Sequence, residues 1–312
     1  VNFMKLPKLI ATSVVRGSEK GQSHGGVYTI DFDSLEVVQQ IDWNAGDIDF
    51  SGRGWDRGLR GIEFFEQQIW IAASDELFCY SPEFELMGSY KNQYLKHCHE
   101  ISRRDHLLFL TSTGYDSLLV FNLKTLCFSW GLYVSRNGDQ WAGQRFDPLR
   151  DAGPPFSNNY HINMVHVAQS GIYFSGLQTR ALLRLSADMT ISPVCNLPEG
   201  VHNAMPFLDG VIFNDTRSDV VRHVSRDDGS TVFAVQAYNT EQLEYHGVDS
   251  SKVARQSFGR GLCIVSDRWV AAGSSPSTIS LYDMVLSERI AVVNLTMDIR
   301  NAIHGLEVWG FD

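Results

Sequence analysis

The chain has 312 residues, 44% of them hydrophobic and 12% aromatic, enough to bury a sizeable core. Its formal net charge of -10 argues against the basic face that nucleic acid or an anionic membrane surface requires, and no apolar run approaches the ~20 residues of a membrane helix. Five cysteines (Cys79, Cys98, Cys127, Cys195, Cys263) lack metal-site spacing, and four read as reduced residues in apolar strands. The expectation is a soluble, cytoplasmic protein, with its oligomeric state left open.

In chain order, residues 8–43 predict three strands (8–16, 26–32 and 35–43), with a tight connection at Asp33-Ser34. The run 9–15 reads as strand, being too short and mixed for the core of a signal peptide. A glycine-rich connection follows over 44–59, with Gly46, Gly52, Gly54 and Gly58 among Asp47, Asp49, Trp55 and Asp56.

From there one short phrase recurs. It reads Arg60-Gly61-Ile62, His99-Glu100-Ile101, Asn163-Met164-Val165, His202-Asn203-Ala204, Arg260-Gly261-Leu262 and His304-Gly305-Leu306. In five copies a second apolar, β-prone stretch begins nine residues after the opening residue, at Ile69, Leu108, Ile172, Val211 and Trp269. The openings are spaced 39, 64, 39, 58 and 44 residues apart. A constant internal offset with a period near forty is the mark of a propeller blade. The predicted fold is therefore all-β, a single six-bladed propeller over 1–312. The last copy lacks its outer strands, and the first three strands lack an opening phrase. Together they complete one closing blade, which leaves no sheet edge between first and last blades.

The two long spacings hold two insertions. Residues 135–160 read as an irregular loop, from Asn137-Gly138, Pro148 and Gly153-Pro154-Pro155. Residues 237–259 read as a second loop, with a short helix near 240–245. Both precede an opening residue, so both are expected to cover the face where the inner strands begin.

The openings Arg60, His99, Asn163, His202, Arg260 and His304 are expected to converge on a central channel, with His161 on its rim. Converging imidazoles are good ligands for Fe, Mn or Zn, with Ca a poorer match. The expected ligands are His99, His161, His202 and His304. Glu63, Glu100 and Glu307 are candidates to orient them. Arg60 and Arg260 would clamp an anionic small molecule, beside Asn163, Trp141, Tyr160, Tyr245 and His246. His161, Arg60 and Arg260 are the candidate catalytic residues. The alternative reading of the ring is structural, each polar opening bonding a neighbouring blade. His24, His106, His166 and His223 read as surface or local hydrogen-bonding residues. His97 and Cys98 adjoin His99. The sequons at Asn214 and Asn294 match a pattern common by chance.

These phrases and the split closing blade resemble six-bladed β-propellers. The axial histidines resemble those of the metal-binding propellers, the carotenoid oxygenases and oligogalacturonate lyases, which implies Fe or Mn held by histidine. The expected function is a metal-dependent enzyme acting on a small anionic molecule, of lyase, isomerase or oxygenase type. Two alternatives stand beside it: a non-catalytic propeller that binds a protein or small ligand, and a lactonase-like hydrolase with carboxylate ligands.

Overall fold

The computed structural model describes residues 5–19, 21–44, 58–227, 229–248 and 255–311. Most of the glycine-rich connection, Gly46, Asp47, Asp49, Gly52, Gly54, Trp55 and Asp56 included, lies outside them. No helix among the described residues is long and apolar enough to cross a membrane.

Strands follow one another in antiparallel sheets of four, with a fifth strand added to one of them. The chain opens with β1 (Lys8–Val15), β2 (Gly26–Asp31) and β3 (Glu36–Asp42). The next sheet is β4 (Ile62–Phe65), β5 (Gln68–Ala72), β6 (Glu76–Tyr80) and β7 (Leu86–Lys91). Then come β8 (Ile101–Arg104), β9 (Leu107–Ser112), β10 (Ser117–Asn122), β11 (Cys127–Asn137) and β12 (Gln140–Phe146). A further sheet is β13 (Ile162–Ala168), β14 (Gly171–Gly176), β15 (Ala181–Leu185) and β16 (Ile191–Asn196). Another is β17 (His202–Phe207), β18 (Gly210–Asp215), β19 (Val220–Ser225) and β20 (Ser230–Ala234). The last full set is β21 (Leu262–Ile264), β22 (Trp269–Ser274), β23 (Thr278–Asp283) and β24 (Glu288–Asn294), followed by β25 (Asn301–Val308). The closing sheet has the order β25-β1-β2-β3. Both ends of the chain therefore meet in one sheet, as the incomplete first and last repeats predict. The fold is all-β, a six-bladed β-propeller.

The chain divides into two compact units. One comprises residues 1–60, 207–210 and 214–312; the other comprises 61–206 and 211–213. Each has its own core. In the first, Leu9, Ile30, Phe32, Ala271, Ile279, Leu281 and Ile303 pack together at 2% exposure or less. In the second, fully buried Trp70 lies 5.6 Å from the Phe121 ring, among Leu77, Leu95, Leu108 and Leu119. Burial falls from the second and third strands of a sheet to the fourth. β22 and β23 are buried throughout, whereas β3 is mostly exposed, with Val37 and Ile41 half-buried. This is why the second strands read as near-continuous apolar runs and the fourth strands as mixed, more polar sequence.

The segment 135–160 departs from expectation. It is not an irregular loop: β11 runs on to Asn137, turns at Gly138 (φ +60°) and returns as β12. Asn-Gly is a strong hairpin signal. It is masked here because β12 is a mostly exposed edge strand without an apolar run. β12 lies at the far edge of its sheet from β8, so this half of the insertion does not cover the start of the inner strand. The rest, from Asp147, crosses back toward it: Asn92 Nδ2 donates to the Pro148 carbonyl at 3.0 Å, and the Tyr94 hydroxyl accepts from Gly153 N at 2.7 Å. The short helix expected near 240–245 is present as a 3-10 turn, Thr240–Gln242.

The cysteines separate by depth. Cys79, Cys98 and Cys263 are buried, Cys195 is half-buried and Cys127 is exposed. Burial pushes the Cys79 thiol up to about 11, and burial with the adjoining Glu307 carboxylate pushes Cys263 well above its usual value. Such thiols stay protonated and unreactive at neutral pH. Brief iodoacetamide treatment of native protein should therefore modify Cys127 first, Cys195 slowly, and the other three only in denaturant. Peptide mass mapping checks this, and early modification of Cys79 or Cys263 would contradict it.

Candidate functional site

The repeated phrase is a β-bulge. In β25, His304 and Gly305 together oppose the single residue Thr12, because Ile303 pairs with Ser13 and Leu306 with Ala11. In β13, Asn163 is the extra residue between Ile162, paired with Gly176, and Met164, paired with Ser175. At β8 the main-chain N–H groups of His99 and Glu100 both donate to Thr111 Oγ1, at 2.9 and 3.1 Å. At β21, Arg260 N donates to the Gly273 carbonyl while Gly273 N donates to that of Gly261. Bulges re-aim side chains and are frequent beside active sites. In these four copies the phrase thus places one polar side chain at the same point of the inner strand.

A second regularity holds neighbouring inner strands together. A polar side chain from a second strand bonds the next opening's backbone. Thr12 Oγ1 donates to the Arg60 carbonyl at 2.5 Å, Thr113 Oγ1 to that of Ile162 at 2.6 Å, and Asn214 Nδ2 to that of Gly261 at 3.2 Å. Gly61 N also donates to the His99 carbonyl at 2.8 Å. Backbone and these Thr and Asn residues thus supply inter-strand contacts of the kind the structural reading of the ring foresees.

In the first unit the structure brings Arg260 and His304 together. Arg260 Nη1 lies 2.7 Å from His304 Nε2. A guanidinium has only donors, so this Nε2 accepts and the imidazole is neutral, its proton on Nδ1. Three guanidinium groups surround the Phe258 ring: Arg16 at 4.5 Å, Arg260 at 4.8 Å and Arg255 at 5.1 Å from its centroid. Each such contact contributes about 0.5–2 kcal/mol. Arg255 also pairs with Asp219 at 2.7 Å. Arg60 belongs to the same unit and is only 1% exposed. Tyr245 and His246 belong to this unit too. Arg300 stacks 3.6 Å from the Tyr245 ring, and His246 Nδ1 lies 3.3 Å from the Leu243 carbonyl.

In the second unit His99 and His161 come together edge to face, with ring centroids 5.4 Å apart. His99 Nδ1 lies 2.6 Å from the His97 carbonyl and 3.0 Å from Thr113 Oγ1. His161 Nδ1 lies 3.1 Å from Asn158 Oδ1. His97, His161 and Asn203 all adopt positive φ (55°, 52° and 56°). Strain of this kind, of order 1–3 kcal/mol per residue, gathers at functional sites. The buried Asp116 carboxylate fixes the approach to His161, accepting from Ser157 Oγ, Asn159 N, Tyr160 N and His161 N at 2.7–3.2 Å. Glu100 Oε1 accepts from Asn203 Nδ2 at 3.0 Å. Asn163 is 3% exposed, and its amide has no hydrogen-bond partner among the described residues. His202 is also buried in this unit.

Other expected site residues have local duties. Trp141 lies on β12 and packs against Tyr160, with ring centroids 5.0 Å apart. Glu63 accepts from the N–H groups of Phe64 and Arg103 at 2.9 and 3.0 Å, and burial raises its carboxyl pKa. Glu307 accepts from Val308 N at 2.9 Å, the same bond at the equivalent repeat position. His24 is buried rather than on the surface, and its Nδ1 lies 2.6 Å from Ser18 Oγ. Both sequon asparagines are engaged: Asn214 is fully buried, and Asn294 Nδ2 donates to the Thr296 carbonyl at 2.9 Å. Sequence reasoning missed Arg16, Phe258, Asp116 and Asn203 as site residues. Asn203 immediately follows an opening, so its position in the phrase was the available signal.

Among the described residues no three His, Cys, Asp or Glu side chains are grouped to hold a metal. His304 Nε2 itself faces the Arg260 guanidinium.

The sheets and the repeated bulge define the class: a six-bladed β-propeller. Among solved structures, a chain of the nidogen/laminin complex superposes with a TM-score of 0.59 at 10% identity, covering 96% of this chain and 98% of that one. A protein of unknown function from Bacteroides caccae gives a TM-score of 0.57 at 8% identity, covering 98% and 100%. At these identities the likeness is one of fold. No protein-family model and no curated protein matches the sequence.

Proposed function

We propose that this protein binds a small anionic molecule at the arginine cluster built on Phe258. The observation that carries the reading is the gathering of Arg16, Arg255 and Arg260 around one aromatic ring. It stands out in a chain of net charge -10. Contact with Phe258 gathers the guanidinium groups, Asp219 and the Thr216 and Gln256 carbonyls hold Arg255, and His304 holds Arg260. Guanidinium groups held in this way favour the planar oxygens of carboxylates or the oxygens of phosphate. The neutral His304 adds a hydrogen-bonding group without adding charge. No metal step enters this reading.

Calorimetric titration of untagged protein with succinate, citrate and inorganic phosphate tests it. At least one should bind saturably, and binding should weaken as salt rises. Arg260→Leu should weaken it about tenfold or more, the range of a lost charge-assisted hydrogen bond. Absence of saturable binding by all three, or an unaffected Arg260→Leu variant, would overturn the reading.

A further inference from the structure

The hairpin that carries β12 holds a second surface, in the other unit from the arginine cluster. We propose that the free edge of β12 takes up one extended segment of a partner protein, in which an acidic residue stands next to an aromatic one. Three observations support it.

The first is an open sheet edge. β12 ends its sheet, and it pairs with β11 without a break from Asn137↔Gln140 to Gly131↔Phe146. The two-residue turn Gly138-Asp139 makes Asn137 and Gln140 a hydrogen-bonded pair, and such pairs alternate along an antiparallel ladder. The main-chain groups of Gln140, Ala142, Gln144 and Phe146 therefore face β11. Those of Trp141, Gly143 and Arg145 face outward, and among the described residues no backbone group meets them. An edge of this kind accepts a further strand through main-chain hydrogen bonds.

The second is a cavity beside that edge. Tyr133, Gln144 and Phe146 line it together with residues 152–155, and its volume is about 160 Å³. A cavity of about 150 Å³ holds one benzene ring. Tyr133 pairs with Gln144, so both side chains share a face with Phe146, two positions on. Trp141, Gly143 and Arg145 take the opposite face, where a Cβ at Gly143 would meet Leu132 and Ile191. The Phe146 ring is braced by Tyr94, 5.2 Å away between centroids, whose hydroxyl also accepts from Gly153 N. A strand laid along β12 turns every second side chain to the cavity's face, and an apolar ring fills the space.

The third is charge. Arg136 pairs with Asp139 at 3.0 Å and Arg150 with Asp147 at 3.1 Å. Arg145 is exposed, lies over the Trp130 ring at 5.0 Å, and has no carboxylate partner among the described residues. β12 thus presents one uncompensated cation and no anion. In antiparallel pairing, an acidic residue opposite Arg145 shares its face, and the next residue opposes Gln144 on the cavity's face. A second copy of this chain fits less well. Pairing β12 with itself about Gly143 would bring Ala142 and Gln140 to the cavity's face, and neither is an apolar ring.

The test is fluorescence anisotropy with the labelled peptide Thr-Val-Glu-Phe-Thr-Val-Thr. It should bind saturably. Lys in place of its Glu should weaken binding about fivefold, and Ala in place of its Phe at least tenfold. N-methylation of the Glu amide, which removes a hydrogen bond to β12, should weaken binding about fivefold. N-methylation of the Phe amide, which points away from β12, should leave it unchanged. In the protein, Ala152→Trp should fill the cavity and weaken binding at least tenfold. Arg145→Glu should reverse the preference, so that the Lys peptide binds better than the Glu peptide. Both positions are exposed, and should one variant fail to fold, the other decides. The proposal fails if the peptide does not bind saturably, if Ala152→Trp binds it equally well, or if Arg145→Glu still prefers Glu. A dimer in sedimentation that Arg145→Glu dissolves, with no peptide bound, would give the edge to a second copy and overturn the proposal.

Discussion

Gly305→Ala should destabilise the protein by about 3 kcal/mol or more, the range of overpacking against unyielding groups. A Cβ at Gly305 would overlap the Arg60 carbonyl oxygen and come within 2.6 Å of Thr12 Oγ1. Neither group can move freely. Thr12 Oγ1 donates to that same carbonyl and accepts from Gly305 N at 2.8 Å. The side chain would therefore break a three-way junction as well as crowd it. Urea denaturation measures the loss. Gly247→Ala is the control, because a Cβ there meets nothing within 4 Å; it should change stability by less than about 0.5 kcal/mol. Similar midpoints for the two variants would show that the close approach at Gly305 is not a constraint.

Asp116→Ala should have a comparable effect for the opposite reason. It removes one buried carboxylate and leaves the N–H groups of Asn159, Tyr160 and His161 without their acceptor. Asn159 is exposed and Tyr160 and His161 are half-buried, so each orphaned donor costs toward the lower end of about 1–3 kcal/mol. Because the freed segment can rearrange toward water, about 3–5 kcal/mol is expected in total. The variant should also lose the placement of His161. Histidine Cδ2–H and Cε1–H NMR shifts of His99 and His161 should move together in Asp116→Ala, while those of His304 stay fixed. Unchanged shifts in a stable Asp116→Ala protein would remove Asp116 from the site.

Much of the fold was legible because a period-two pattern and a fixed nine-residue offset both survive in one chain. The closing sheet was legible too, since each end of the sequence lacks what the other supplies. The hairpin of β11 and β12 was hidden. An exposed edge strand needs no apolar face, so Gln140–Phe146 carries no alternation strong enough to outweigh the proline-rich segment after it. At the site, the openings were readable as polar residues at a constant place. Their partners were not. Asp116 lies 45 residues before His161, and Arg16 lies more than 240 before Phe258. Only the fold brings such groups together, and a local pattern carries no trace of a contact at that separation. The pairing of His304 with Arg260 changes how the ring reads. Position in the repeat suggested a metal ligand at His304; the fold adds a contact to Arg260 that no local pattern carries.

The sheet that pairs β1 with β25 also governs how the protein is made. Gly305 N and Thr12 Oγ1 are 293 positions apart. At a translation rate of about 5–20 residues per second, β1 waits roughly 15–60 s for its partner to leave the ribosome. For that interval the edge of β1 that β25 will cover, with the apolar side chains of Leu9, Ile10 and Ala11, has no mate. Such an edge invites strand capture from another nascent chain. Crowded polysomes should therefore be where this protein is most exposed to misassembly, and a chaperone that shields the first forty residues would help its yield more than one acting after release.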